Sequence, residues 1–270
     1  MGNKSNRQRN LIETFEDFYS TKSNKTWWGN HTSNRKLMMA ITASHKGKRE
    51  INQDLILEYT AIDGSCLFAV IDGMGGYDSG EIAAKMVSDN IEAYLSTVRT
   101  IDAFHIQKAI NKSNLVLRQH KDGITENMGA TIGGVIIKGT DVAYFWIGDV
   151  KILHFRNKKL LFESSPHSLV NDLVENGSIT EPTQLSKYRH VVTRSIQGDI
   201  KNSQAEIDTN SFNANTDLLF VCSDGVHDVM ESLQTENLLN QVETPFAFKT
   251  ELEARLLKDA SDNFTFGIIA

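Results

Sequence analysis

Three times in this chain an apolar run of strand length closes on an aspartate: "CLFAVID" at 66–72, "AYFWIGD" at 143–149 and "LLFVCSD" at 218–224. Such runs are too short for buried helices and are rich in aromatic and β-branched residues, so they read as strands covered on both faces. Two more aspartates open strand-like runs, Asp54 in "DLILEY" and Asp262 in "DNFTFGIIA". In an antiparallel sheet the end of one strand lies beside the start of its neighbour. If these five strands share antiparallel sheets with matched edges, Asp54, Asp72, Asp149, Asp224 and Asp262 collect at one rim. Asp54 and Asp72 flank a hairpin turning at Asp63-Gly64, which brings that pair together most directly.

The rest of the chain reads as hairpins broken by helices. "TIGGVIIKGTDVAYFWIGD" turns at Gly139-Thr140-Asp141, and "KILHFRNKKLLFES" pairs two short strands across Asn157-Lys158. In 80–98 the residues Ile82, Ala83, Met86, Val87, Ile91, Tyr94, Leu95 and Val98 form one apolar helical stripe, and a second helix is expected from about 101 to 120. The segment 166–198 holds a helix, "LVNDLVENG", and a polar loop, while 226–260 is mostly helical. Residues 1–36 are rich in Asn, Ser, Lys and Arg, with an amphipathic island at 11–19 and the pair Trp27-Trp28. They read as an N-terminal extension to a single domain over 37–270. The class is α+β.

Clustered carboxylates raise one another's proton affinity, and burying an unpaired one is costly. Basic residues flank the five aspartates only at Arg49 and Lys151. Hard divalent cations, Mg²⁺ or Mn²⁺, suit an all-oxygen cage, and no His or Cys spacing suggests zinc. The glycines of Asp72-Gly73-Met74-Gly75-Gly76 also admit a nucleotide-loop reading. A Walker loop needs Gly-Lys followed by Ser or Thr, which is absent, and the dinucleotide fingerprint needs glycine where Asp78 stands. These glycines instead allow a tight approach that presents the Gly73 carbonyl to a metal.

Composition removes other classes. With 34 acidic and 28 basic residues the chain carries a net charge of −6, which argues against nucleic-acid binding. Apolar runs of about six residues fall far short of a membrane span, and the polar N-terminus lacks a signal-peptide core. Cys66 and Cys222 sit in strand-like runs as buried thiols, so a cytoplasmic location is expected.

The ordered motifs resemble those of the metal-dependent serine/threonine phosphatases of the protein phosphatase 2C type, bacterial branch. They run Gly47-x-Arg49-x-x-Asn52-Gln53-Asp54, Asp72-Gly73-Met74-Gly75-Gly76, Met128-Gly129-Ala130-Thr131 and Gly148-Asp149. Pro166-His167-Ser168-Leu169-Val170, Thr193-Arg194-Ser195, Ser223-Asp224-Gly225 and Asp262-Asn263-Phe264-Thr265 complete the series. The resemblance covers the chain from about Ser44 onward. It implies a four-layer α-β-β-α sandwich, two antiparallel sheets flanked by helix pairs, with two Mn²⁺ or Mg²⁺ ions at the rim. Asp72 would bridge both ions, the Gly73 carbonyl would bind one, and Asp224 and Asp262 the other. Asp149 with Asp224 matches a looser third metal site. Asp54 would act through metal-bound waters, and Arg49 would grip the substrate phosphate, a pairing of Arg49 with Asp54 being the alternative.

The implied reaction is hydrolysis of phosphoserine and phosphothreonine in proteins by a water bridging the two ions, in a monomer opposing a bacterial serine/threonine kinase. Residues 166–194 match a flap beside the site, with His167 and Arg194 structural. The chain has Gly148-Asp149-Val150-Lys151 where the family often has Gly-Asp-Ser-Arg, and Ala130 where it often has Thr. A pseudophosphatase, the fold kept as a signalling module without turnover, is the alternative reading. An unrelated dinuclear hydrolase or nuclease fits the carboxylates but not the motif order.

Overall fold

The computed structural model describes residues 40–76, 79–121, 128–175, 188 and 191–270. The N-terminal extension, with the segment at 11–19 and Trp27-Trp28, lies outside the described residues, as do residues 176–187, 189 and 190 of the flap-like segment 166–194. The described elements all belong to one compact unit, Met38–Ala270.

Among the described residues the chain forms two five-stranded antiparallel sheets. One runs in the order β1 (Ala40–His45), β10 (Phe264–Ile269), β9 (Asp217–Cys222), β6 (Lys151–Arg156), β7 (Lys159–Glu163). The other runs β2 (Asp54–Thr60), β3 (Cys66–Gly75), β4 (Met128–Lys138), β5 (Asp141–Ile147), β8 (Glu206–Ser211). Helices α1 (Ser79–Leu95) and α2 (Ala103–Lys121) cover the second sheet. A short α3 (Leu169–Glu175) follows β7, and α4 (Asp224–His227) follows β9. Helices α5 (Ser232–Gln241) and α6 (Pro245–Asp259) cover the first sheet. The α+β sandwich expected from the sequence is the one observed.

The continuous apolar runs arise from this layering, because successive side chains of a strand point to opposite faces and both faces are dry. In β3, Leu67, Ala69 and Ile71 pack under α1 and α2, while Phe68 and Val70 face the other sheet. In β9, Leu218, Phe220 and Cys222 pack under the C-terminal helices, and Leu219 and Val221 face inward. Burial pushes the Cys222 thiol up to about 12, so it stays protonated. Cys66, expected to be buried, is only half-buried, because it opens β3 at the sheet's far end beside the turn.

Turn chemistry sets the registers. Lys138 pairs with Asp141, leaving Gly139 and Thr140 as the loop, and Arg156 pairs with Lys159 across Asn157 and Lys158. Asn157 and Lys158 have φ of 51° and 61°, the paired positive values of a type I′ hairpin turn. The inward-facing layer also holds polar groups. Tyr144 Oη lies 2.6 Å from His154 Nδ1, and Asp217 accepts from Arg156 Nε at 2.9 Å and Nη2 at 2.8 Å. Burial alone would push the Asp217 carboxyl up. The Arg156 guanidinium and hydrogen bonds from Asn213 and Thr216 win, and hold it well below the usual range.

Strand β8 is the element that the sequence does not announce. Its residues "EIDTNS" are polar, and Ile207 alone packs on the core, yet the segment pairs antiparallel with β5 from Asp141↔Ser211 to Trp146↔Glu206.

Candidate active site

The register of β2 and β3 sets Asp54 directly opposite Asp72. Strand β3 does not end at Asp72, as the sequence suggested, but continues through Gly73, Met74 and Gly75. These pair with Ala130, Gly129 and Met128, which keeps their backbone hydrogen-bonded where a free turn would leave it exposed. Asp149 follows Gly148 beyond the end of β5, Asp224 opens α4, and Asp262 stands just ahead of β10. Asp72 feels the charge of all four others. Burial first, then the charges of Asp54, Asp224, Asp149 and Asp262, push the Asp72 carboxyl well above its usual range. Burial, then Asp149, Asp262, Asp228 and Asp54, do the same to Asp224. Asp228 thus joins the cluster, a member that the sequence did not single out.

Asp54 is the best-defined member. It is 3% exposed, and its Oδ2 accepts a 2.7 Å hydrogen bond from Ser223 Oγ. Its Oδ1 is buried without a hydrogen-bond partner. Burial pushes this carboxyl up to about 6, against the hydrogen bonds of Ser223 and Thr265, which favour the charged form. Ser223 stands at the N-cap position of α4, yet its hydroxyl caps nothing there. It is spent on Asp54, and it also accepts from Thr265 N at 3.0 Å, tying β2, β9 and β10 together at the rim.

Backbone closeness explains two of the motif glycines. A Cβ on Gly73 would stand 2.1 Å from the Gly80 carbonyl oxygen, and one on Gly225 would stand 2.0 Å from the Asn263 carbonyl oxygen. Each glycine lets a motif-bearing segment press against another one, with no room for a methyl group.

The basic residues settle differently from the sequence alternatives. Arg49 Nη2 donates to Asp262 Oδ2 at 2.6 Å, so its partner is Asp262 and not Asp54. Lys151 Nζ lies 2.8 Å from Glu163 Oε1, which takes it up at the edge of the first sheet. His167 accepts from Gly148 N through Nδ1 at 3.1 Å, so its proton sits on Nε2, 2.9 Å from Glu206 Oε2. It thereby holds the turn leading to Asp149. Arg194 Nη1 lies 3.8 Å from the same Glu206 Oε2, so the two residues converge on one carboxylate beside this turn. On the other side His227 Nε2 stands 3.0 Å from the Asp149 carbonyl oxygen.

This donor set fits hard divalent cations. It is all oxygen, it contains a buried carboxylate oxygen without a partner, and its mutual repulsion exceeds what one exposed arginine offsets. Among the described residues, no three His, Cys, Asp or Glu side chains already stand as ligands around one point. The Asp262 carboxylate is engaged by Arg49, so ligation there requires it to share or exchange that partner.

Comparison with known proteins places the chain in a family. The family profile described as Protein phosphatase 2C matches residues 41–260. Protein phosphatase PhpP of Streptococcus pneumoniae is 26% identical over 231 residues, covering 83% of this chain and 93% of PhpP. Serine/threonine phosphatase stp of Listeria monocytogenes is 27% identical over 191 residues, covering 67% of this chain and 75% of that protein. The solved serine/threonine phosphatase of S. agalactiae superposes with a TM-score of 0.78 at 25% identity, over 86% of this chain and 99% of that one. The catalytic domain of PstP, solved in complex with two manganese ions, shares the fold with a TM-score of 0.72 at 22% identity. That match spans 86% of this chain and 97% of PstP's.

Proposed function

This chain belongs to the protein phosphatase 2C family, and we propose that it hydrolyses phosphoserine and phosphothreonine in proteins with two divalent cations, Mn²⁺ or Mg²⁺, at the aspartate rim. The observation that carries this reading is the mutual repulsion of buried Asp54 and Asp149 with half-buried Asp72 and Asp224 and with Asp262, where Arg49 pairs with Asp262 alone among them in the described residues. Cations bound there supply Lewis acidity: they make water a stronger acid near neutral pH and offset charge on phosphoryl oxygens.

The chain's own residues divide the remaining work. Asp72 would be the ligand shared by the two cations, the Gly73 carbonyl would help to hold one, and Asp224 with Asp262 would hold the other. Asp149 with Asp224 would hold a third cation more loosely. Asp54, anchored by Ser223 through Oδ2, orients water at the rim with its unengaged Oδ1. Burial pushes its carboxyl up to about 6 in the cation-free protein, and bound cations would favour the charged form that orients water. Arg49 stands on an exposed loop beside Asp262 and offers its planar donors to the phosphate oxygens of the substrate. The substrates are the phosphoprotein products of a serine/threonine kinase, reached in aqueous solution by a monomer. No helix among the described residues is long and apolar enough to cross a membrane.

Hydrolysis of a phosphothreonine peptide and of p-nitrophenyl phosphate, in Mn²⁺, Mg²⁺ or EDTA, tests the reading with wild type and Asp72→Asn side by side. Turnover that requires the cation and vanishes in Asp72→Asn is expected. Folded wild-type protein without turnover in either metal would refute it and leave the fold as a binding module.

A further inference from the structure

The loop 46–53 joins β1 to β2 and carries Arg49 near its exposed tip, where Arg49 N donates to the Lys46 carbonyl at 3.1 Å to close a turn. The rest of the loop's backbone is held from outside. Asn263 Nδ2 donates to the Lys46 carbonyl at 2.9 Å and to the Ile51 carbonyl at 2.8 Å, and Asn263 Oδ1 accepts from Gln53 N at 2.9 Å. Every polar atom of the amide is therefore used. The orientation is unambiguous too, because the flipped amide would set its oxygen against two carbonyls and its NH₂ against an N–H. The side chain is 6% exposed, so these bonds form away from competing water.

The three bonds bracket Arg49 on both sides in sequence. The arginine head, in turn, rests on Asp262, the residue before Asn263. One dipeptide thus holds both the backbone that carries Arg49 and the guanidinium itself. The contact is tight as well as polar, for a Cβ on Gly47 would stand 2.0 Å from the Asp262 carbonyl oxygen.

We propose that Asn263 is the positioning residue for Arg49: it touches no substrate, and fixes the loop 46–53 so that the guanidinium is already in place when a phosphomonoester arrives. The inference rests on the reading of Arg49 as the phosphate-gripping residue. A loop held in advance spends no binding energy on its own ordering, so loss of the clamp appears as weaker substrate capture more than as slower chemistry.

The test uses the full chain and four proteins: wild type, Asn263→Ala, Arg49→Ala and the double variant. The readouts are KM and kcat for a phosphothreonine peptide at saturating Mn²⁺, and amide hydrogen exchange of residues 48–53 in EDTA. Removing charge-assisted hydrogen bonds to a phosphate raises KM about tenfold or more, and Asn263→Ala is expected to reproduce most of that rise. It should also accelerate exchange in the loop while β9 and β10 keep their protection. In the double variant KM should be no higher than in Arg49→Ala alone, because Asn263 acts through Arg49. Asn263→Asp keeps the acceptor for Gln53 N but sets an oxygen against two carbonyls, and should give the same coupled rise should the alanine variant fail to fold.

Multiplicative KM effects in the double variant, or unchanged loop exchange in a folded variant, overturn the proposal. So does a raised KM in Arg49→Ala with none in Asn263→Ala, which leaves the phosphatase reading intact. An unchanged KM in Arg49→Ala removes the premise and the proposal with it.

Discussion

Replacing Asp54 by Asn should make the metal-stripped protein more stable, although it removes a residue assigned to the active site. Asp54 is 3% exposed, faces Asp72 across the β2–β3 register and has one oxygen without a hydrogen-bond partner. Its carboxyl is pushed from 3.8 up to about 6. At about 1.4 kcal/mol for each tenfold change in proton affinity, the charged form costs the folded state about 3 kcal/mol at neutral pH. Asparagine carries no such cost. Its oxygen can still accept from Ser223, and its amide can donate toward Asp72.

The sign with pH is set by the direction of the shift. The folded carboxyl binds its proton more tightly than the unfolded one, so the wild-type penalty is full above about pH 6 and fades toward about pH 4, the ordinary aspartate value. Thermal unfolding in EDTA should therefore place Asp54→Asn about 6–12 °C above wild type at pH 7.5, using roughly 2–4 °C per kcal/mol for a domain of this size. The gap should shrink to about a third at pH 4.5, and excess Mn²⁺ at pH 7.5 should raise the wild type more than the variant. A variant that melts below wild type in EDTA at pH 7.5, or a gap that ignores pH, would refute the reasoning.

Other perturbations have equally definite outcomes. Arg49→Ala frees the Asp262 carboxylate from its 2.6 Å partner. An exposed ion pair is worth about 0.2–1 kcal/mol, so calorimetry should show Mn²⁺ bound up to about fivefold more tightly even as KM rises. Arg156→Met leaves Asp217 buried at 4% exposure without its bidentate partner. That costs about 3–5 kcal/mol in denaturant unfolding, with kcat of the folded fraction unchanged because the pair lies at the opposite end of β9 from Asp224. Gly225→Ala sets a methyl carbon 2.0 Å from the Asn263 carbonyl oxygen. It should push the 262–263 backbone away and abolish peptide hydrolysis in protein whose circular dichroism shows native secondary structure.

What the sequence revealed, and what it hid, divides along contact range. The turn near Gly139-Thr140, read one residue too long, and the two-residue loop at Asn157-Lys158 were readable because turn chemistry is local. The gathering of the aspartates was readable because apolar runs mark strands, and strand ends have fixed neighbours. Strand β8 was not, since "EIDTNS" owes its state to backbone pairing with β5 and offers little apolar signal of its own. The partner of Arg49 was also hidden. Asp54 is its near neighbour in sequence, but the loop folds back onto Asp262, which lies 213 positions away. Ser223 shows the same limit: its place before a helix suggests a cap, and only the tertiary structure shows its hydroxyl spent on Asp54.

The central claim is that the aspartate rim holds two divalent cations with Asp72 shared between them. Isothermal titration of Mn²⁺ into the full-length, EDTA-stripped protein at pH 7.5 tests it most directly, with Asp72→Asn as the comparison. Two tight sites per chain in the wild type, both lost together in Asp72→Asn, is the predicted result. An unchanged number of sites in Asp72→Asn, or a wild type that binds no Mn²⁺ while folded, would contradict the account.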